Sequence, residues 1–313
     1  MPAEPATGAP FPPEVDSRVR EGAFLLVDKP RGPSSHQVTA WARDLLRQKL
    51  AGHAGTLDPH VSGLLWIGVG PSLKLLPLLL AFPKRYVGVV TFHAPVARPD
   101  LDRVLGEFTG PIFQTPPVRS AVKRRRRVRT IHRLELLEFA PPNALLDTVV
   151  DSGTYVRSLA VDLGDALGVG GHLAELRRVG TGPFTDAQAV SLAALADAAH
   201  EAEEGRPGPL LGQLHPMKEV WQEFPRITLR ASAASAIAHG ADLAPGGILS
   251  VEGKFDRGDP VVLLSGSGEI LALGTALRDS DHLPGPGWAV DASRVLVDSA
   301  RYARDWRKGP PPG

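Results

Sequence analysis

The chain has no cysteine. That excludes a disulfide framework, cysteine-ligated zinc and thiol catalysis, and it fits a reducing interior. Long hydrophobic runs are also missing. The longest apolar stretch, residues 73–82, is interrupted by Lys74 and Pro77, and no basic segment leads into an apolar core after Met1. Neither a membrane span nor a secretory leader is expected, and the chain reads as soluble and cytoplasmic. Chemical signatures are absent as well: the ten histidines include no HExxH pair, and there is no GxxxxGKS/T phosphate loop and no GxGxxG fingerprint. Hydrolytic zinc, nucleotide and dinucleotide chemistry lack their markers, so no metal and no cofactor are expected.

With 313 residues and 43% hydrophobic content, the chain can bury one large core and a smaller one without covalent staples. Its net charge of +1 hides a segregation. Arg119, Lys123, Arg124, Arg125, Arg126, Arg127, Arg129 and Arg133 fall in residues 119–133 with no acid among them, which leaves the remainder acidic. Such a block meets phosphate or another acidic surface, and nucleic acid is the leading partner class. The plain alternative is a solvated or disordered basic loop. Apolar flanks at residues 118–122 and 131–137 argue against disorder.

Along the chain, residues 1–19 and 301–313 are rich in proline and small residues and read as a flexible extension and tail. The folded part is expected from about Arg20. Residues 24–27 read as a buried strand, ended by Pro30, Gly32 and Pro33. A helix follows: Ser34 with Gln37 forms a capping box, and Val38, Trp41, Ala42, Leu45 and Leu46 recur with helical spacing. Residues 64–69, 86–92, 135–139 and 145–150 read as strands, and a helix after Gly153 carries Val156, Leu159, Ala160, Leu163 and Leu167 on one face up to Gly168. Arg157 lies off that apolar stripe, in the first turn. A further helix is expected over 187–204, then a linker-like Gly205-Arg206-Pro207-Gly208-Pro209. From Phe224 short β-type segments dominate, with a hairpin turn at Ser265-Gly266-Ser267-Gly268, which suggests a separate small barrel or sandwich.

The most informative segment is Gly52-His53-Ala54-Gly55-Thr56-Leu57-Asp58-Pro59, followed by Val61, Ser62 and Gly63. Glycines at 52, 55 and 63 permit turns and close backbone approach, Pro59 fixes φ after the acid, and Leu57 offers an apolar anchor. Taken alone, Asp58 is either an ordinary turn-capping carboxylate or an acid aimed by its loop. His53, the one histidine near the acid, is either a structural hydrogen-bonder or a substrate contact.

Five motifs occur in order: Asp28-Lys29-Pro30, Gly55-Thr56-Leu57-Asp58-Pro59, Lys84-Arg85-Tyr86, Gly153-Thr154-Tyr155-Val156-Arg157 and Leu176-Arg177-Arg178. Together they resemble the motifs of TruB-type pseudouridine synthases over roughly residues 20–200. The C-terminal segments 236–243, 258–262 and 268–274 resemble a PUA domain, a small RNA-binding β-barrel. Residues 116–124, Pro-Pro-Val-Arg-Ser-Ala-Val-Lys-Arg, are similar to the archaeal and eukaryotic, dyskerin-like branch. Pro71-Ser72-Leu73 and the long arginine run 124–127 depart from that pattern without touching a motif expected to do chemistry.

The resemblance implies an α+β fold: a mixed, largely antiparallel sheet flanked by helices over residues 20–215, and a PUA barrel over 224–300. It implies isomerisation of an RNA uridine to pseudouridine, in rRNA or in tRNA, within a box H/ACA ribonucleoprotein. Asp58, Tyr86 and Arg157 would be catalytic, with an Asp58–Arg157 ion pair. Asp58 would act at the ribose, either by attacking C1′ or by removing a ribose proton. Lys29, His53, Leu176, Arg119, Lys123, Arg124, Arg125, Arg126, Arg127 and Arg129 are the candidates for substrate or RNA contact, with Val156 and Leu176 walling the pocket and Lys29 suited to buttressing it. The implied partners are guide and substrate RNA, a small zinc-ribbon protein, a Gar-type β-barrel protein and a kink-turn binder. Two rivals stay open: a stand-alone enzyme acting on the tRNA T-loop, and a non-catalytic RNA-binding scaffold.

Overall fold

The structure, a computed structural model, describes residues 11–115 and 125–303. They form two compact units: one holds residues 24–69 and 79–214, the other runs from His215 onward and also takes in residues 18–23 and 70–78.

Order begins earlier than the composition suggests. Helix α1 (Pro13–Glu21) begins within the expected flexible extension of residues 1–19 and runs past its end, and its Val15 and Val19 are buried. Pro13 opens it, Glu14 and Asp16 occupy its first turn, and Arg18 and Arg20 its last, which matches the helix dipole at both ends. Only residues 1–10 of that extension lie outside the described residues.

In the first unit the strands are β1 (Ala23–Lys29), β2 (Ala51–Ala54), β3 (Ser62–Val69), β4 (Lys84–Phe92), β5 (Gly110–Gln114), β6 (Arg127–Ala140), β7 (Asn143–Val150), β8 (Gly171–Thr181) and the short β9 (Phe184–Thr185). They join in the order β1-β3-β8-β4-β7-β6-β5, with β2 paired to β3 and β9 to β8. Of the pairings on that path, β3 with β8 is parallel, whereas β4 is antiparallel to both β7 and β8. Helix α2 (Ser35–Leu45) has the expected capping box: the Ser34 hydroxyl accepts from the Gln37 N–H and the Gln37 side chain accepts from the Ser34 N–H. After α3 (Leu76–Ala81), helices α4 (Arg98–Phe108) and α5 (Val156–Ala166) close one core with the sheet. There Val90, Phe92, Leu101, Val104, Ile131, Leu146, Leu159 and Leu163 are buried together. The α6 helix (Leu192–Glu203) and α7 (Gly208–Gln213) complete this unit.

The second unit has the two-residue β10 (His215–Pro216), α8 (Met217–Trp221), β11 (Arg226–Leu229), α9 (Ala231–Ala238), β12 (Ile248–Glu252), β13 (Pro260–Leu264), β14 (Ile270–Ala276) and β15 (Val290–Val295). Its five-stranded sheet runs β12-β11-β13-β14-β15, around a core that includes Ile227, Ile237, Phe255, Leu263, Leu271 and Val290. The expected turn closes β13 to β14: the Gly268 N–H donates to Ser265 O at 2.9 Å, with Gly268 at φ +82°. The described chain continues to Ala303, past the expected start of the tail, and the Tyr302 hydroxyl donates to Glu269 at 2.8 Å.

Candidate active site

The Asp58 loop joins two antiparallel strands, β2 and β3, whose register pairs Ala54 with Trp66. The glycines at its two ends adopt φ +69° (Gly55) and +102° (Gly63), conformations that a side chain would strain. Between them, the Val61 N–H donates to Asp58 O at 3.0 Å, a turn that starts on the acid.

Buried polar groups grip this loop from beneath. The Ser35 hydroxyl, at the start of α2, bonds both the N–H and the carbonyl of Leu57, each at 2.9 Å, so the residue before Asp58 is held on both sides. Lys29 is fully buried, and its Nζ donates to Pro30 O (2.9 Å), Pro59 O (3.4 Å) and Val61 O (2.7 Å). Burial pulls its pKa down, and the Asp58 charge partly opposes that. The Lys29 ammonium is thus spent on backbone carbonyls, a buttress beneath the loop rather than a group on its outer face. Arg178, also buried, donates from Nε to Leu64 O (2.7 Å) and from Nη1 to Gly55 O (2.8 Å).

Asp58 itself points out of this cage. Its Oδ2 lies 3.0 Å from Nη2 of Arg157, and both side chains are about half exposed, at 51% and 50%. The expected ion pair is present, in an open rather than an enclosed setting. Arg157 is the second residue of α5, and the entry to that helix is fixed from β5. Buried Gln114 donates to Tyr155 O at 3.2 Å and accepts from the Tyr155 N–H at 3.0 Å. Such a two-bond amide clamp sets where the first turn of α5, and with it Arg157, begins.

Tyr86 enters through the sheet. In one transverse row Gly63 of β3 faces Arg178 of β8, Arg178 faces Tyr86 of β4, and Tyr86 faces Thr148 of β7. At roughly 4.8 Å per strand, Tyr86 stands about 10 Å across the sheet from the end of the Asp58 loop. Its ring is half-buried against the α4–α5 core. Leu176 and Val156 line a small apolar cavity with Gly88, Thr148 and Leu159, and a Cβ on Gly88 would stand 2.8 Å from Leu176 Cδ1. Gly88 thus makes the room that Leu176 occupies.

His53 lies on β2, with Nδ1 3.1 Å from the Thr39 hydroxyl, Nε2 3.3 Å from that of Thr56, and its ring edge-to-face with His36 at 4.8 Å. Burial first, then the His36 and Arg178 charges, lower its pKa, which favours the neutral ring. Arg125, Arg126 and Arg127 are exposed, and Arg126 covers the Phe113 ring at 4.2 Å. Arg129 is half-buried against the turn before α5: its Nη2 would stand 3.2 Å from a Cβ on Gly153. Arg119, Lys123 and Arg124 lie outside the described residues. Sequence reasoning missed Ser35, Gln114 and Arg178 as supports of the site. Arg177-Arg178 stood inside a quoted motif, and that was the one available signal. Arg177 serves the fold, joining Asp28 at 2.8 Å to Asp186 at 2.9 Å.

Among the described residues no group of three or more histidine, aspartate or glutamate side chains is placed to hold a metal ion. Among them, too, no helix is long and apolar enough to cross a membrane.

Residues 43–156 match the TruB family pseudouridylate synthase N-terminal domain, 157–221 the tRNA pseudouridylate synthase B C-terminal domain and 225–286 the PUA domain. The chain is 42% identical over 311 residues to the probable tRNA pseudouridine synthase B of Pyrobaculum arsenaticum, covering 98% of this chain and 94% of that one. The protein of the same name from Methanopyrus kandleri is 42% identical, over 94% of this chain and 89% of its own. Among solved structures, a Cbf5-Nop10-Gar1 complex contains a chain that matches with a TM-score of 0.83 and 37% identity, over 96% of this chain and 94% of that one. An H/ACA ribonucleoprotein bound to a substrate RNA containing 2′-deoxyuridine matches at 0.79 and 34%, over 98% and 95%. This chain belongs to the TruB family of pseudouridine synthases, isomerases that act on RNA.

Proposed function

We propose that this chain is the catalytic subunit of a guide-directed box H/ACA ribonucleoprotein that converts uridine to pseudouridine in rRNA. The observation that carries the reading is the likeness, over nearly the whole chain and with the PUA unit included, to the Cbf5-Nop10-Gar1 structure. Asp58 acts at the ribose. The C1′–N1 bond breaks, the base turns, and C5 bonds to C1′; N1 gains a proton as C5 loses one, so the isomerisation needs no co-reactant. Arg157, at 3.0 Å, sets a positive charge beside the carboxylate. Tyr86 offers an aromatic face to the extruded base, in a slot bordered by Leu176 and Val156. Arg125, Arg126, Arg127 and Arg129, with Arg119, Lys123 and Arg124, hold the RNA backbone. His53, beside the loop, contacts the substrate. The partners are a guide RNA, held largely by residues 224–300, a small zinc-ribbon protein, a Gar-type β-barrel protein and a kink-turn binder. The chain works in the cytoplasm.

A second reading is favoured by the names of the sequence relatives, which are probable tRNA pseudouridine synthases B. There the chain modifies the tRNA T-loop without other macromolecules. One reconstitution separates the two: purified chain, with and without guide RNA and the accessory proteins, is given an rRNA fragment and a tRNA, and pseudouridine is mapped in each. Modification of rRNA only in the guided assembly is the expected result, and modification of tRNA alone by the bare chain replaces it with the second reading. Equal modification by wild type and Asp58→Ala would remove Asp58 from the chemistry.

A further inference from the structure

We propose that Arg178 is a positioning residue for Asp58: its guanidinium ties the two ends of the Asp58 loop together and fixes where the carboxylate stands. The inference rests on the catalytic reading of Asp58 given above. Arg178 is 1% exposed, so it touches no substrate. Its Nε bonds Leu64 O at 2.7 Å and its Nη1 bonds Gly55 O at 2.8 Å, and these carbonyls stand on opposite sides of the loop. The main chain adds a second hold, because Arg178 faces Gly63 in the parallel β3–β8 pairing. The approach is tight: a Cβ on Gly63 would stand 2.2 Å from Arg178 O, and one on Gly55 3.0 Å from Arg178 Nη1.

The charge of Arg178 makes an ordinary packing role a poor account. None of the ion pairs among the described residues includes it, and its Nη2 has no hydrogen-bond partner there. A fully buried guanidinium without a carboxylate is costly, and a neutral side chain would fill the space at less expense. What the cation supplies is a rigid fork that spans two carbonyls and a positive field beneath a loop whose one acid is Asp58. Asp58 and Arg157 are themselves half exposed, so their contact alone does not fix the loop that carries the carboxylate. The constraint comes from behind, through Arg178, Ser35 and Lys29. Arg178 alone bonds both sides of the loop.

Arg178→Lys keeps the charge but cannot span both carbonyls, and Arg178→Met removes both. Each variant is assembled as the full chain with its RNA and accessory proteins, and four quantities are read: melting temperature, RNA affinity, single-turnover rate, and amide exchange in residues 55–64. Arg178→Lys should lose roughly 100-fold in single-turnover rate with RNA affinity within about 3-fold of wild type, the signature of a misplaced group rather than a lost contact. Exchange should quicken in 55–64 and stay unchanged in α5. Arg178→Met, which keeps neither bond, should lose more in rate than Arg178→Lys at the same RNA affinity, and its exchange in 55–64 should be the faster of the two. A Lys variant that turns over within about 3-fold of wild type would overturn the proposal, as would equal losses of rate and affinity. Unfolding of both variants would overturn it too, by making Arg178 a part of the fold. If wild type forms no pseudouridine in any RNA tested, the catalytic reading fails by itself. The exchange comparison then still decides the loop tie, because unchanged protection of 55–64 in Arg178→Lys refutes it.

Discussion

The Asp58 carboxylate and the Arg157 guanidinium meet at 3.0 Å with about half of each side chain exposed. An ion pair so open to solvent adds little to folding, on the order of 0–1 kcal/mol. On the proposed reading its value lies in the positive charge set beside the carboxylate. Arg157→Ala should therefore melt close to wild type and bind RNA nearly as well, yet lose roughly 10²- to 10³-fold in single-turnover rate, the size of effect seen when one stabilising donor leaves an active site. Parallel measurement of melting, RNA binding and turnover checks this, and equal losses of affinity and rate would contradict it.

Gln114 makes a prediction of the opposite balance. Gln114→Ala removes both bonds of the clamp, while the Tyr155 carbonyl keeps the Leu159 N–H at 3.0 Å, and this should cost about 1–2 kcal/mol of stability. Because Arg157 begins its turn two residues later, turnover should fall as well, by roughly 10-fold at temperatures where the variant is fully folded. Denaturant titration and turnover on one preparation test the pair of effects. Normal turnover in a destabilised variant would mean that α5 finds its start without the clamp.

Two glycines separate strain from contact. Gly32 and Gly63 have similar backbones, φ +111° and +102°, but a Cβ on Gly32 meets nothing within 4 Å while one on Gly63 would stand 2.2 Å from Arg178 O. Gly32→Ala should cost about 1 kcal/mol, the price of the backbone conformation alone. Gly63→Ala should cost more than roughly 3 kcal/mol, because the parallel β3–β8 pairing has to open. Equilibrium unfolding of the two variants gives both numbers, and equal costs would show that the close approach is relaxed at little expense.

Much of this site was legible because its signals are local. The capping box of Ser34 and Gln37, the glycines around Asp58 and the polar position of Arg157 on an apolar helix can be read from neighbours in sequence. The central strand β8 could not be: Gly171, Glu175, Arg177, Arg178 and Gly180 break the apolar alternation that marks a strand. Its arginines are satisfied by partners mostly far along the chain, Asp28 with the nearer Asp186 for Arg177 and the carbonyls of Gly55 and Leu64 for Arg178. The buttressing place of Lys29 was suggested by its motif, but its acceptors were not legible, since two of its three carbonyls, those of Pro59 and Val61, come from the folded loop. Helix α1 was hidden by the proline-rich composition before it, although Val15 and Val19 already stood at i, i+4 spacing.

Lys84, in the same motif as Tyr86, gives the fold a dependence on pH that can be worked out in sign. It is buried, and its Nζ donates to Leu79 O (3.2 Å), Leu80 O (2.8 Å), Phe82 O (2.6 Å) and the Ser152 hydroxyl (3.3 Å). Those acceptors favour the ammonium. Burial, and after it the charge of Arg178, outweigh them and bring the pKa from 10.5 down to about 7. Below pH 7 both the folded and the unfolded chain carry the proton, and the cost of a buried charge is felt in full. Between pH 7 and 10.5 the unfolded chain binds a proton that the fold has released, so stability rises with pH across that window. Lys84→Met removes this titration while also taking the ammonium away from its oxygen partners, so the absolute stability of the variant is uninformative and the slope is what counts. The unfolding free energy of wild type minus that of Lys84→Met, taken from urea titrations at several pH values within the window, should climb by about 1 kcal/mol per pH unit. A difference that stays flat would mean that Lys84 remains an ammonium throughout, held charged by its four oxygen partners.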